Sequence, residues 1–190
     1  MVKPADQRSA VASVAALSPR LKAVVDALPL RPGIRVIEIG CGPGAAARAV
    51  ADRVGPHGHV LAVDRSAKAI ALLTQSAADL ITANQLTARQ VAAEELELDP
   101  GEERYHIAFA VRVAAFDGRD PHAGGLSLER LGHALVPGGR LFIDGGNPLR
   151  EVTVPTTQRS PEPRRRATAQ RPRTTDPHSA ARQSSASTYP

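Results

Sequence analysis

The sequence predicts an α/β protein with a Rossmann-like, doubly wound, mainly parallel sheet and helices on both faces. Short apolar runs alternate with helix-forming stretches over residues 1–150. Alternation of this kind is typical of right-handed βαβ crossovers, which build parallel sheets covered on both sides. An apolar content of 42% and a charged content of 23% are those of a folded domain. A chain of 190 residues is long enough for one domain and an additional segment.

Five strands are predicted, each a short and mostly apolar run. They are Ile34–Ile39, His59–Asp64, Leu86–Val91, Tyr105–Val111 and Arg140–Asp144. The helices predicted between them are Ala45–Val54, a stretch from Ala67 to about Leu80 capped by Ser66, and Leu126–Leu135. Upstream, Ala10–Leu28 is rich in helix formers, and Pro19 predicts its division into two short helices.

A change of composition near residue 150 divides the chain into a domain, 1–150, and a tail, 151–190. From Pro155 onward the apolar residues are only alanines and Tyr189. We therefore expect a disordered tail, because it buries too little surface to offset its ordering entropy.

The net charge of +5 comes mostly from this tail, which has seven arginines and three acids. Of 24 basic and 19 acidic residues in all, the domain keeps 17 and 16. A basic surface is therefore not predicted for the domain. Without interleaved aromatic side chains, Arg164–Arg166 would give nucleic acid only weak contact.

Cysteine content and hydropathy predict the compartment. Cys41 has no partner for an internal disulfide, and no group of cysteines and histidines has zinc spacing. No apolar run approaches the ~20 residues of a membrane span, and the first residues lead into no signal-peptide core. These features favour a cytoplasmic protein with neither a membrane association nor a structural metal.

A glycine turn, Gly40–Gly44, joins the first strand to the first helix after it. Gly40 can take the positive φ of a tight turn, and Gly42 and Gly44 remove side chains where a ligand or the next helix comes close. The following helix N-terminus favours an anionic group. The alternative is a turn that only connects two elements, in which Cys41 is either a reactive thiol or a small buried side chain.

Asp64 ends the second strand, 20 residues after Gly44. An acidic side chain at that point can accept both hydroxyls of a ribose bound across the sheet edge. The alternative is an aspartate that starts a turn or caps the next helix. Together with the glycine turn, Asp64 indicates an adenosine-containing ligand, either a dinucleotide or a smaller nucleoside.

Four segments carry a family resemblance. Glu38-Ile39-Gly40-Cys41-Gly42-Pro43-Gly44 resembles the first motif, E/D-x-G-x-G-x-G, of class I S-adenosylmethionine-dependent methyltransferases. Val63-Asp64 is similar to the acidic end of their second strand, and Leu135–Leu141 to their L-x-P-G-G-x-L segment. Ala93–Leu98 resembles the segment that lies against adenine. The resemblance covers residues 20–146.

The resemblance implies S-adenosyl-L-methionine as cofactor and assigns roles by position. The glycines would admit the methionine moiety, Glu38 would orient its amino group, and Asp64 would hold the ribose. Adenine would lie against Arg65 and the backbone near Ala93, and the carbonyl of Ala110 would face the amino group. The cofactor-binding residues so implied are Glu38, Gly40, Cys41, Gly42, Gly44, Asp64, Arg65, Ala93 and Ala110.

Three departures from the family pattern stand out. Ala92 occupies the place of an aspartate that accepts from the adenine amino group, so weaker cofactor affinity is expected. Tyr105-His106 replaces an aromatic residue followed by aspartate. After the fifth strand only Leu149–Val154 can form another strand, so the sheet lacks the last strands of the usual seven. The edge beside the fifth strand would then be exposed, paired in a homodimer or covered by the tail.

The function that the resemblance implies is methyl transfer to a small-molecule acceptor. A catalytic base would lie on the loops after the fourth and fifth strands. The candidates are Asp117, Asp120, His122, Asp144 and Asn147, and none stands out because each also suits a turn or a loop. His106 lies at the opposite edge.

Two other functions stay open. One is a non-catalytic, cofactor-binding remnant of the family. The other is a nicotinamide-dependent oxidoreductase, because Gly40-x-Gly42-x-x-Ala45 satisfies the looser dinucleotide pattern. Pro43 and Pro137-Gly138-Gly139 favour the methyltransferase pattern over the dinucleotide pattern.

Overall fold

The computed structural model describes residues 17–155, which form a six-stranded sheet with helices on both faces. The strands are β1 Arg35–Ile39, β2 His59–Asp64, β3 Leu86–Gln90, β4 Tyr105–Ala110, β5 Leu135–Asp144 and β6 Leu149–Val152. The helices are α1 Pro19–Ala27, α2 Ala45–Val54, α3 Ala67–Ser76, α4 Ala78–Thr82 and α5 Pro121–Ala134, with 3₁₀ turns at Ala93–Glu95 and Ala114–Phe116. The predicted fold class is confirmed.

The strand order is β3-β2-β1-β4-β5-β6. Strands β1 to β5 are parallel, and β6 runs antiparallel to β5 with Leu141 opposite Val152. The order reverses between β1 and β4, where Ile39 lies opposite both Val63 and Ala110. The further strand predicted within Leu149–Val154 is confirmed as β6, which pairs with β5, so the described sheet has six strands and its edge beyond β5 is β6.

Alternating side chains of the strands enter two hydrophobic cores. On one face, Val36 and Phe109 pack with α1, α2 and α3 through residues such as Val25, Val50 and Leu73. On the other face, Ile37, Leu61 and Leu141 pack with α5 and with the segment that contains Leu96. Helices therefore cover both faces.

Two helix boundaries, in α3 and α5, differ from the predictions. The division predicted at Pro19 agrees with α1, which begins there because Ser18 caps the helix by accepting from the Leu21 N–H at 3.3 Å. The helix predicted to reach Leu80 breaks at Ala77, where φ is −126°.

Helix α5 begins five residues earlier than predicted, because Asp120 caps it and Pro121 is its first residue. Gly124 and Gly125 weaken the helix propensity of that turn. The turn forms nevertheless, and Gly124 packs so closely on Ala115 that a Cβ would lie 2.5 Å from the Ala115 carbonyl oxygen.

Two predictions concern residues beyond those described: the helix expected before Ser18 lies largely in residues 1–16, and the tail lies largely in 156–190. Within residues 17–155, no helix combines the length and the hydropathy needed to cross a bilayer.

Gly44→Ala is expected to destabilise the domain more than Gly33→Ala does. Both glycines have φ of 81°, so both variants carry the left-handed strain of about 1 kcal/mol. A Cβ at Gly44 would also overlap the side chain of Leu73, whereas a Cβ at Gly33 would meet no atom within 4 Å. We expect a further loss of about 1–3 kcal/mol at Gly44, measured by denaturant unfolding. Equal losses would contradict the packing of Leu73 on the turn.

Candidate functional site

A cleft of about 310 Å³ opens at the carboxyl edge of the sheet. Gly40 after β1 and Asp64 at the end of β2 form part of its lining, and the Ala114–Phe116 turn and the start of α5 form the opposite wall. The cleft therefore lies at the switch point between β1 and β4, where open α/β sheets bind their ligands.

The glycines of the turn serve packing at some positions and not at others. Gly40, Gly42 and Gly44 have φ of 71°, 53° and 81°. A Cβ on Gly40 would lie 2.7 Å from Val113 Cγ2, so Gly40 lets the segment after β4 approach β1. Gly44 is closed off by Leu73, whereas a Cβ on Gly42 would enter open space. Packing therefore requires the absence of a side chain at Gly40 and Gly44, but not at Gly42.

Asp64 joins the glycine turn to the start of α3. Its Oδ2 accepts from the Gly42 N–H at 2.9 Å, and its Oδ1 accepts from the Ser66 N–H at 2.8 Å. A carboxylate has about four lone-pair sites, so each oxygen keeps capacity for one further donor at the cleft. Both predicted roles, the ligand-facing carboxylate and the turn-forming aspartate, are compatible with this arrangement.

Glu38 lies buried in the middle of β1, on the face covered by α2. Burial raises the pKa of its carboxyl to about 8, the negative charge of Asp64 adds to the rise, and the Ala47 backbone N–H opposes it. Its Oε2 accepts no hydrogen bond from residues 17–155. A buried acidic oxygen beside a cleft suits a cationic or donor group of a ligand.

Cys41 and Ala110 are also buried. The Cys41 side chain belongs to the core beneath α2, and burial raises the pKa of its thiol, as do the negative charges of Glu38 and Asp64. The structure therefore favours the small buried side chain over the reactive thiol. Ala110 ends β4 opposite Ile39 and packs in the second core, behind the cleft.

The predicted adenine end is assembled at the cleft. Arg65, Ala92, Ala93 and Glu94 all form part of the lining, together with Val91. Ala92, at the position where the resemblance places an aspartate, lines the cleft and carries no side-chain hydrogen-bond acceptor. Of the nine predicted cofactor residues, Gly40, Asp64, Arg65 and Ala93 line the cleft itself; the others lie in the turn and strands behind it.

The carboxylates proposed as bases make structural contacts. Asp120 lines the cleft, and its Oδ1 caps α5 by accepting from the Ala123 N–H at 3.0 Å. The Arg119 guanidinium donates to Asp117 at 2.7 Å and lowers the pKa of that carboxyl. Asp144 accepts from the Arg20 guanidinium at 3.0 Å. His122 and Asn147 are exposed, in α5 and in the turn before β6.

Sequence reasoning missed two arginines, Arg112 and Arg119, that line the cleft. The search for chemistry considered carboxylates and histidines after the fourth strand and passed over the cations. Both arginines follow β4, whose carboxyl end faces the predicted ligand, so their positions in the sequence could have indicated that they line the site.

Comparisons with known proteins agree with this geometry. The profile of a family described as "Methyltransferase domain" matches residues 30–167. The chain is 30% identical over 131 residues to a protein-L-isoaspartate O-methyltransferase of Methanothrix thermoacetophila, covering 69% of this chain and 56% of that protein. It is 34% identical over 140 residues to the protein of the same name from Methylorubrum populi, covering 73% and 58%. The chain thus spans little more than half the length of these relatives.

Among solved structures, the fold is similar to that of a SAM-dependent methyltransferase from Aquifex aeolicus. The TM-score is 0.53 at 18% identity, with 65% of this chain and 62% of that chain covered.

The free energy of unfolding of the ligand-free protein is expected to fall between about pH 4.5 and about pH 8. The pKa of Glu38 is raised from 4.5 to about 8 in the folded state, so its contribution is complete below the lower value and is lost as pH rises through the upper one. The expected decline in the free energy of unfolding is a few kcal/mol, at about 1.4 kcal/mol per pKa unit. Because glutamine does not titrate, Glu38→Gln should flatten this decline. Denaturant unfolding at several pH values measures it. The exposed Glu95→Gln should keep the wild-type slope, and an unchanged slope in Glu38→Gln would contradict the effect of burial.

Proposed function

The chain belongs to the class I S-adenosylmethionine-dependent methyltransferase family, and on that premise we propose that it transfers a methyl group from S-adenosyl-L-methionine to a small-molecule acceptor. The observation that carries the proposal is the cleft at the switch point, with Asp64 on one side and the buried Glu38 carboxyl behind the glycine turn. A nucleoside with a cationic amino-acid group complements both carboxyl groups.

The residues present fit this cofactor. The Oε2 of Glu38 has no partner in residues 17–155, so the amino group of the methionine moiety, directly or through water, would satisfy a buried oxygen. The open space at Gly42 admits the same moiety close to the backbone. Asp64 would hold the ribose hydroxyls with the lone pairs that its turn contacts leave, and Arg65 and Ala93 would flank adenine.

The bound cofactor supplies an activated methyl group on a sulfonium. The protein's own contribution is to position the acceptor and to exclude water. Gly40 and Val113 bring the segment after β4 against the end of β1, and the first turn of α5 closes the opposite wall. These contacts hold the two halves of the cleft at a fixed separation.

The cleft, at about 310 Å³, lies at the lower end of the range of small-ligand sites, about 300–1,000 Å³. The cofactor would fill part of it, which favours a small acceptor. A second candidate is an isoaspartyl carboxylate on a protein. The names of the two relatives favour it, at 30% and 34% identity. Isoaspartyl peptides therefore belong in any panel of acceptors.

Wild-type protein is expected to bind S-adenosylhomocysteine in calorimetry and to show no heat with NADH. Asp64→Asn should weaken S-adenosylhomocysteine binding on the order of 10- to 100-fold, because it removes charged hydrogen bonds to the ribose. Thermal unfolding measured in parallel separates this effect from the turn contacts that Asp64 also makes.

Asp52→Asn provides the matched control, since Asp52 is exposed on α2 and the substitution changes the charge equally. Its affinity should equal that of the wild type. Binding of NADH without S-adenosylhomocysteine would instead support the oxidoreductase alternative. Cofactor binding without transfer to any acceptor would support the non-catalytic remnant.

A further inference from the structure

Arg112 holds an unusual backbone conformation at the cleft. Its φ is 59°, in the left-handed region that few residues other than glycine and asparagine occupy. Its N–H donates to Oδ1 of Asp144 at 3.2 Å, across from β4 to the end of β5. A strained residue at a ligand cleft is held there by its surroundings and is a candidate for function.

A second contact fixes Asp144 itself. The Arg20 guanidinium of α1 donates to Oδ2 of Asp144 at 3.0 Å. The position of Arg112 therefore depends on α1 and β5 as well as on its own loop. Its neighbour Val113 packs against Gly40, which places Arg112 where the segment after β4 meets the glycine turn.

The charges that line the cleft are unequally compensated. Asp64 and Asp120 accept from backbone N–H groups, and Arg119 is paired with Asp117. Within residues 17–155, the exposed guanidinium groups of Arg112 and Arg65 have no hydrogen-bond or ion-pair partner, although both residues line the cleft. Arg65 lies beside the Val91–Glu94 segment, whereas Arg112 lies where the segment after β4 meets the glycine turn. A free guanidinium in a concave site is suited to a carboxylate, which it can bind with two parallel hydrogen bonds.

We propose that Arg112 selects an acceptor that bears a carboxylate and that this carboxylate is the group that is methylated. The proposal rests on the proposed function and names its substrate class. One carboxylate oxygen forms a bond to the methyl carbon as the carbon–sulfur bond breaks, and the electron pair stays on sulfur. The products are a methyl ester and neutral S-adenosylhomocysteine.

No proton has to leave the acceptor in this step, since a carboxylate is ionised at neutral pH. The engagement of Asp117, Asp120 and Asp144 in structural contacts is consistent with such a reaction. Asp144 is then a positioning residue, which acts through the Arg112 N–H, and not a base.

The probes are two small acids, benzoate and phenylacetate, each with its neutral primary amide. An isoaspartyl peptide and its asparagine counterpart form a separate arm, which distinguishes a small-molecule carboxylate from a peptide carboxylate. Binding is measured by saturation-transfer NMR with and without S-adenosylhomocysteine. Transfer is measured with methyl-labelled S-adenosylmethionine, followed by alkaline release of methanol, which is diagnostic of a methyl ester.

Acids are expected to bind, amides are not, and the transferred label should be released by alkali. Arg112→Asn keeps a residue that tolerates the left-handed backbone. It should weaken acid binding on the order of 10- to 100-fold and leave S-adenosylhomocysteine affinity unchanged. Arg112→Lys should restore part of the acid binding, since it keeps the charge and loses the planar fork. Arg31→Asn, an exposed arginine at the amino edge, is the control and should behave as the wild type.

Three results would overturn the proposal. One is an equal loss of S-adenosylhomocysteine affinity in Arg112→Asn, which would place the guanidinium on the cofactor's carboxylate. Another is equal binding of acids and amides. The third is a label that resists alkali, or no transfer to any acid by wild-type protein that binds S-adenosylhomocysteine. Failure of the wild type to bind S-adenosylhomocysteine would instead contradict the proposed function. In that case, the NMR comparison of acids and amides in the absence of S-adenosylhomocysteine would still test the role of Arg112.

Discussion

The arrangement of the site depends on the Asp64 carboxylate. It accepts one N–H from the turn after β1 and one from the start of α3, at 2.9 and 2.8 Å. These bonds hold Gly42 and Ser66 on either side of the end of β2. The oxygens that fix the turn are the same oxygens that would hold a ribose, so binding and turn geometry share one group. A ligand that uses the remaining lone pairs would stabilise the turn as it binds.

The opposite edge of the sheet is held by a separate polar network. The Tyr105 hydroxyl donates to Glu102 at 2.6 Å and accepts from Arg35 at 3.1 Å, and Arg89 donates to Glu102 at 2.9 Å. Burial raises the pKa of the Tyr105 hydroxyl, and its bond to Glu102 adds to the rise. The network ties the loop before β4 to β1 and β3, far from the cleft. The sheet is thus anchored at its amino edge, whereas its carboxyl edge presents the loops that line the cleft.

Local signals in the sequence were enough for much of the fold and for four residues that line the cleft, Gly40, Asp64, Arg65 and Ala93. The bounds of α2 and β2 follow from glycine punctuation and a buried β-branched run, and both match the structure. The start of α5 was missed, because two glycines argue against a helix that tertiary packing on Ala115 supports. That Arg112 follows β4 could be read from the sequence, but its left-handed backbone and its hydrogen bond to Asp144, 32 residues away, could not.

Glu38 and Arg112 are two ionisable groups at the ligand-free site whose side chains lack a full set of partners within residues 17–155. The Glu38 carboxyl favours a cationic ligand group, and the Arg112 guanidinium favours an anionic one. A cationic amino group at Glu38 would lower the raised pKa of its carboxyl, so binding near neutral pH would release a proton. An anionic acceptor at Arg112 would meet a charge that is already present. Because the proposed cofactor and the proposed acceptor would compensate different groups, they would not compete for the same charge in the cleft.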